Sequence, residues 1–361
     1  MKGKVGFMTE PGNIELHEYE LPEVTPGSVL VKVSQSNVCG SELHIFEGKH
    51  PFIKHAVLGH EMIGKILELG EGVTIDNAGN TVKEGDSIVA PYYLTCEKCR
   101  ACRNGQFHLC ENAYTYWSKP PTEWPYFNGA FSTHYYIHPD QYFYKVPKNV
   151  SSPVAASANC ALSQVYFGID QAELSSDETI VIQGAGGLGL NAIAVSKERG
   201  ARVIIIDGIE SRLELAKKFG ADEIININEY RTVEDREKKI KSLTDDWGAD
   251  VCIELTGIPD SFSEGIKLVR PGARFVAIGT QSPGTSTAVD PGQLVRKSVK
   301  IIPLIRYNPW YLYKSLKFLE RNQHKYPFES LLDATFDLSD IQTALDKSAN
   351  REVTRATINC E

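Results

Sequence analysis

The sequence predicts a mainly antiparallel β domain joined to an α/β domain with a doubly wound parallel sheet. Three observations carry this. Residues 1–150 hold short β-type runs punctuated by Gly and Pro, the grammar of an irregular antiparallel domain. From about residue 177 buried-strand runs alternate with helical segments, which means a parallel sheet with crossover helices. A glycine-rich turn joins the first of those runs to its helix. A chain of 361 residues is also too long for one ordinary core, so two domains are expected.

In chain order, MKGKVGFMTEPGNIELHE reads as a strand pair. Strands are predicted in SVLVKVSQSNV (28–38), EMIGKILELG (61–70) and DSIVAPYYL (86–94), with TIDNAGNTVKEGD (74–86) as a polar hairpin. AYTYWSKPPTEWPYF (113–127) is a loop with six aromatics and three prolines. That is too apolar for an idle surface segment. Tyr114, Tyr116, Trp117, Trp124 and Tyr126 are candidates for the wall of a substrate cleft, or for a packing or subunit contact. TIVIQ (179–183), RVIIID (202–207), EIININ (223–228), DVCIEL (250–255) and RFVAIG (274–279) read as buried strands. NAIAVSKERG (191–200) and SRLELAKKFG (211–220) read as helices between them. WYLYKSLKFLERN (310–322) is helical, and RATINC returns to β.

Hydrophobic content of 42% and charged content of 23% are those of a globular protein. A formal charge of −8 argues against nucleic-acid binding, which needs basic surface. No apolar run reaches the length of a membrane span, and the N-terminus has no apolar signal core. REKKIK (236–241) is read as the solvated face of a helix. Cys39, Cys160, Cys252 and Cys360 are widely separated, which suggests a reducing, cytoplasmic setting.

Cys96, Cys99, Cys102 and Cys110 fall within fifteen residues, CEKCRACRNGQFHLC. Four thiolates this close suit a closed tetrahedral zinc site, which leaves no open position for chemistry. The alternative, two disulfides, belongs to short secreted chains. Gly184-Ala185-Gly186-Gly187-Leu188-Gly189 follows TIVIQ directly and opens a helix. Gly184 allows the tight turn, Gly186 lets backbone approach a pyrophosphate, and Gly189 lets helix pack on strand. Asp207 ends the next strand, placed for the adenosine ribose hydroxyls. A 2′-phosphate there would be repelled, so NAD is favoured over NADP, although Arg212 could hold such a phosphate. Cys39, His60 and Cys160 would together supply two thiolates and an imidazole, the donor set of an open catalytic zinc. Spacing does not single them out. Taken singly, the cysteines read first as small buried hydrophobes and His60 as a hydrogen-bonded core histidine.

The chain resembles the zinc-containing medium-chain alcohol dehydrogenases. The resemblance rests on Cys39-Gly40-Ser41 with His44, Gly59-His60-Glu61 with Gly64, the four-cysteine lobe, Cys160 in SANCALS, and the glycine turn with Asp207. They occur in the family's order from about residue 25 to the C-terminus. The resemblance implies a GroES-like domain (1–162 and 307–361, with a structural zinc lobe at about 94–112) and a Rossmann domain (163–306). It implies that Cys39, His60 and Cys160 bind a catalytic zinc, with Glu61 beside it. It implies that Ser41 and His44 relay the substrate proton. The expected activity is hydride transfer between an alcohol and NAD, or between NADH and the matching aldehyde or ketone, with two zinc ions per chain. A polyol, cyclitol or sugar dehydrogenase is the alternative; such relatives often carry glutamate where this chain has Cys160. The expected partner is a small alcohol or carbonyl compound, without nucleic acid or membrane, and the expected assembly is a homodimer or homotetramer.

Overall fold

A computed structural model describes every residue except 51, 52, 118, 121, 280–283 and 354. The chain divides into two compact units, Met1–Ser163 with Arg306–Glu361, and Gln164–Ile305. Among the described residues no helix is long and apolar enough to cross a membrane.

The first unit is built on a seven-stranded sheet. Its order is Ala334–Asp337, Ala356–Asn359, Val29–Asn37, Glu61–Leu69, Ser87–Val89 and Tyr144–Lys145, with His134–Ile137 also pairing Val29–Asn37. Lys2–Glu10 and Asn13–Glu20 pair antiparallel beside it, as the N-terminal pattern predicts. Val29, Val31 and Val33 are fully buried in a core shared with Ile66, Ile88 and Phe131, while Lys32 is exposed. Leu30 is buried as well, at 2% exposed, so the strand is covered on both faces at its start and alternates only across Val31–Val33. The register sets the functional geometry: Asn37 pairs with Glu61 on one side and Thr357 on the other. Residues near the two ends of the unit's sequence therefore lie on adjacent strands.

The strand expected over 86–94 is shorter than predicted. Only Ser87–Val89 pairs. Pro91 lacks the N–H that a ladder needs, and the chain leaves the sheet there. Tyr93, just beyond, is 2% exposed.

The second unit is a six-stranded parallel sheet ordered Glu223–Asn226, Arg202–Asp207, Thr179–Gln183, Ala249–Glu254, Val269–Ala277 and Lys300–Pro303. Helices Gly187–Glu198, Glu210–Lys218, Val233–Ser242 and Pro259–Leu268 connect its strands. Ile180, Val181 and Ile182 are fully buried, as are Ile204 and Ile205. Such unbroken apolar runs belong to strands covered on both faces. REKKIK lies on the helix Val233–Ser242, but it is not wholly a solvated face. Ile240 is fully buried, and Arg236 is 8% exposed. Arg236 makes a two-pronged ion pair with Glu264, Nε to Oε1 at 2.5 Å and Nη2 to Oε2 at 3.1 Å. A residue 28 positions away supplies the partner, so charge patterning along the helix does not reveal it.

One buried histidine of the first unit sets an acid limit on stability. His138 stacks on Tyr116 at 3.4 Å between ring centroids, and its Nε2 lies 3.1 Å from Asn128 Oδ1. Burial, helped by Lys119, pushes its pKa down to about 3. An unfolded histidine titrates near 6.5. Between these values the unfolded chain binds a proton that the folded chain refuses, so stability is expected to fall as pH drops through that window. Between pH 7 and pH 4.5 the contribution is on the order of 2–3 kcal/mol. His138→Gln should remove that part of the pH dependence. Denaturant midpoints at the two pH values check it; an unchanged slope counts against it.

Candidate functional site

Cys39 caps the helix Gly40–Phe46, just after the strand Val29–Asn37. The cap works through Glu42, whose Oε2 accepts the Cys39 amide N–H at 2.7 Å. The other carboxylate oxygen lies 2.7 Å from His60 Nδ1. Glu42 is thus both the cap of the helix and the clamp on His60. The clamp makes Nδ1 the protonated nitrogen and leaves the Nε2 lone pair for another partner. Nε2 is buried and has no hydrogen-bond partner among the described residues.

His60 enters the strand Glu61–Leu69 from Gly59, whose φ is 92°. A Cβ at Gly59 would come within 2.4 Å of the Phe131 amide nitrogen, so the approach needs glycine. Cys160 sits in a π-helical turn, Ala158–Leu162, between the helical segments Ser152–Ser157 and Ser163–Gln171. Such turns often mark functional positions in helices. The Cys39 and Cys160 sulfurs are 3.9 Å apart. Ligand atoms of Cys39, His60, Glu61 and Cys160 all lie within 4.8 Å of one another.

The electrostatics suit a cation. The Cys39 thiol is held well below its usual pKa, chiefly by the hydrogen bond from Cys160 and further by His60 and Arg355. Cys160 is raised by the same shared proton and by burial. Burial opposes charge on His60, but Glu42 and Cys39 together raise its pKa. Burial pushes Glu61 up to about 8 even though the Arg355 guanidinium faces its carboxylate. Arg355 reaches Glu61 because the last strand joins the sheet at Asn37. The donor set fits zinc. Two sulfurs converge on a histidine whose second nitrogen is already held and whose first is buried without a partner.

Ser41 and His44 share the helix Gly40–Phe46, three positions apart and so on one face. His44 Nδ1 is buried with no hydrogen-bond partner among the described residues. Burial, aided by Lys49, lowers its pKa against Glu47 and Cys39.

The aromatic loop separates into two groups. Tyr92 lies 4.8 Å from the His60 ring, and Tyr114 and Trp117 lie 6.4 and 6.1 Å from Tyr92. Tyr116, Trp124 and Tyr126 pack instead on His138, Tyr136 and Tyr19. Two residues of the loop, 118 and 121, lie outside the described residues.

In the four-cysteine lobe the ligand sulfurs also lie within 4.8 Å of one another, and these cysteines form no disulfide. Cys99 caps the short helix Arg100–Arg103. Backbone N–H groups of Cys96, Cys99 and Cys102 each donate to a lobe sulfur at 3.4 Å. Donors aimed at sulfur favour the thiolate.

In the second unit Gly184 has φ of 98°, and Gly186 caps the helix Gly187–Glu198. A Cβ on Gly189 would lie 1.9 Å from the Gly184 carbonyl oxygen. At Gly186 a Cβ would meet nothing within 4 Å, so that side of the turn is open. The helix start leaves N–H groups without intrahelical acceptors, suited to phosphate. Asp207 Oδ2 accepts the Ala185 N–H at 2.7 Å, and Oδ1 accepts those of Gly208 and Ile209. The acid is therefore fixed at the turn. Arg212 is half-buried on the following helix.

Glu42, Arg355 and Tyr92 were not singled out from the sequence. Glu42 carried only part of a signal: it stands at the third helical position, where a capping box has Glu, but the N-cap is Cys39 and not Ser or Thr.

The chain matches two protein families. Residues 25–148 match the alcohol dehydrogenase GroES-like domain, and residues 187–321 match the zinc-binding dehydrogenase domain. It is 30% identical over 348 residues to a 5-exo-hydroxycamphor dehydrogenase of Pseudomonas putida, covering 95% of this chain and 94% of that one. It is 33% identical over 308 residues to an L-threonine 3-dehydrogenase of Pyrococcus horikoshii, covering 84% and 82%. An alcohol dehydrogenase structure from Thermotoga maritima superposes with a TM-score of 0.94 at 29% identity, covering 100% of both chains.

Proposed function

This chain belongs to the zinc-containing medium-chain alcohol dehydrogenase family, and we propose that it oxidises an alcohol with NAD at a zinc held by Cys39, His60 and Cys160. The class is an oxidoreductase acting on a CH–OH group, with zinc and a nicotinamide cofactor. The observation that carries the site assignment is His60 Nε2, buried without a partner between two thiols while Nδ1 is clamped by Glu42.

When bound, zinc supplies Lewis acidity toward the substrate oxygen, and the nicotinamide accepts hydride. The chain's own residues do the rest. Cys39, Cys160 and His60 hold the metal, and Glu42 fixes the His60 tautomer. Ser41 accepts the substrate hydroxyl proton and passes its own onward, and His44 delivers it to water. The buried His44 Nδ1 without a partner supports that role. Gly184, Gly186, Gly187, Leu188 and Gly189 cradle the pyrophosphate, and Asp207 takes the ribose hydroxyls, which favours NAD. A second zinc, in the four-cysteine lobe, is structural. A homodimer or homotetramer is supported by the edge strand Lys300–Pro303, with Ile305 51% and Val295 77% exposed nearby.

The test combines metal analysis with cofactor reduction. We expect two zinc ions per chain and NAD reduction over a panel of simple, cyclic and polyhydroxy alcohols, faster than with NADP. His44→Ala should slow turnover by roughly tenfold or more and alter its pH profile. One zinc per chain and no reduction with any alcohol would refute the Cys39–His60–Cys160 assignment.

A further inference from the structure

Cys39, His60 and Cys160 come from separate stretches of chain, so their spacing depends on what ties those stretches together. Cys39 and His60 are joined through Glu42, which bonds the Cys39 amide N–H and faces His60 Nδ1. Cys160 is brought in by a different device. Its π-helical turn, Ala158–Leu162, carries a fully buried amide side chain, that of Asn159. Asn159 Nδ2 donates to the Met62 backbone carbonyl at 2.6 Å. Met62 lies two residues beyond His60, on the strand Glu61–Leu69. One hydrogen bond thus joins the residue before Cys160 to the strand that presents His60. The orientation of the amide follows from chemistry. A carbonyl oxygen only accepts, so the NH2 side of Asn159 must face it.

A π turn departs from the regular helical ladder, and here side chains brace it. The Asn159 backbone carbonyl accepts the hydroxyl of the fully buried Tyr307. Ser163 Oγ donates to the Ala158 carbonyl at 2.6 Å. These bonds steady the turn itself, whereas the Asn159 side chain reaches across to the His60 strand. As a core filler Asn159 is a poor choice. Its Oδ1 is shielded from solvent with no hydrogen-bond partner among the described residues, a cost that leucine of similar size would not carry. Its worth lies in where the donor points. Metal–ligand distances tolerate about 0.2 Å, finer than apolar packing holds two segments. We propose that Asn159 is a positioning residue for the zinc site: through Met62 it sets the spacing of Cys160 from His60. This rests on the zinc reading above.

The test compares Asn159→Leu with Ser163→Ala in the full-length protein. Leucine keeps the bulk and removes the donor to Met62. Ser163→Ala removes a hydrogen bond of the same turn and leaves the one to Met62 in place, so it measures loosening of the turn alone. Zinc affinity at Cys39, His60 and Cys160, from competition with a chelator, should fall roughly 10- to 100-fold in Asn159→Leu and stay near wild type in Ser163→Ala. Cobalt(II) exchanged into the site supplies a second readout that needs no turnover. Its d–d and thiolate charge-transfer bands report the ligand arrangement, and they should shift in Asn159→Leu but not in Ser163→Ala. Asn159→Ser, whose hydroxyl is too short to reach Met62, should show the same loss and serves if the leucine variant does not fold. Wild-type zinc affinity and cobalt bands in the Asn159 variants would overturn the proposal. So would an equal loss of zinc in Ser163→Ala, which would make Asn159 an ordinary hydrogen bond of the core. A wild type that holds a single zinc, in the four-cysteine lobe, would remove the Cys39–His60–Cys160 reading itself, and the proposal with it.

Discussion

Cys39→Ser is expected to remove one zinc per chain and to lower kcat by at least about 10³-fold, while NAD still binds. The size follows from the chemistry lost. A Lewis acid at the substrate oxygen is worth several kcal/mol, and each 1.4 kcal/mol is about tenfold in rate. The substitution is nearly isosteric and spares the helix cap, because Glu42 bonds the backbone N–H of residue 39 and not its sulfur. The Glu42–His60 contact should also survive. Cofactor binding should persist because the glycine turn and Asp207 lie in the other unit, Gln164–Ile305. Zinc by atomic spectroscopy, NAD by fluorescence titration and steady-state rates check the three parts separately. A zinc-depleted Cys39→Ser protein with near-normal turnover would sink the metal assignment.

What the sequence discloses follows the range of the interactions. The glycine turn is legible because its parts are adjacent: Gly184 turns, Gly186 caps and Gly189 packs within six residues, directly after a strand. The four lobe cysteines are legible for the same reason. Cys39, His60 and Cys160 are 121 residues apart at their extremes, and spacing alone leaves each as an ordinary core residue; resemblance picked them out, and the sheet brings them together. Cys160 also depends on a π-helical turn that has no clear sequence mark. Arg355 could not be read at all. It faces Glu61 only because strand 356–359 pairs with Asn37, which pairs with Glu61. Arg236 failed in the opposite sense. Local charge made it look solvated, and a distant Glu264 buries it. The aromatic loop shows both cases, since Tyr114 and Trp117 join the wall through Tyr92 while Trp124 and Tyr126 turn away.

Cys102→Ser is expected to remove the other zinc and destabilise the first unit by more than about 3 kcal/mol. Without a metal the lobe's thiols cannot all ionise. Against slight burial, the Asn112 amide and backbone N–H groups bring Cys96 down to about 6. Burial and neighbouring thiols push Cys102 up. One side of the lobe thus favours thiolate and the other resists it, and only a shared cation lets four thiolates stand together. Serine offers no thiolate, so the set is broken at one of its two buried members, Cys102, which is 4% exposed beside Cys110 at 3%. The damage should spread along specific contacts. The His108 amide N–H bonds Asn308, and the Phe107 ring meets Trp310 at 5.3 Å. These contacts tie the lobe to the segment that carries Tyr307. Limited proteolysis should therefore cut Cys102→Ser within 94–112 while wild type resists, and its thermal midpoint should fall well below that of Cys39→Ser. The contrast separates the two metals. A zinc lost at Cys39 stops chemistry on a sound fold, whereas a zinc lost at Cys102 loosens the fold around a catalytic set that is still whole. Equal thermal midpoints for the two variants would show that the four-cysteine lobe does not depend on its metal.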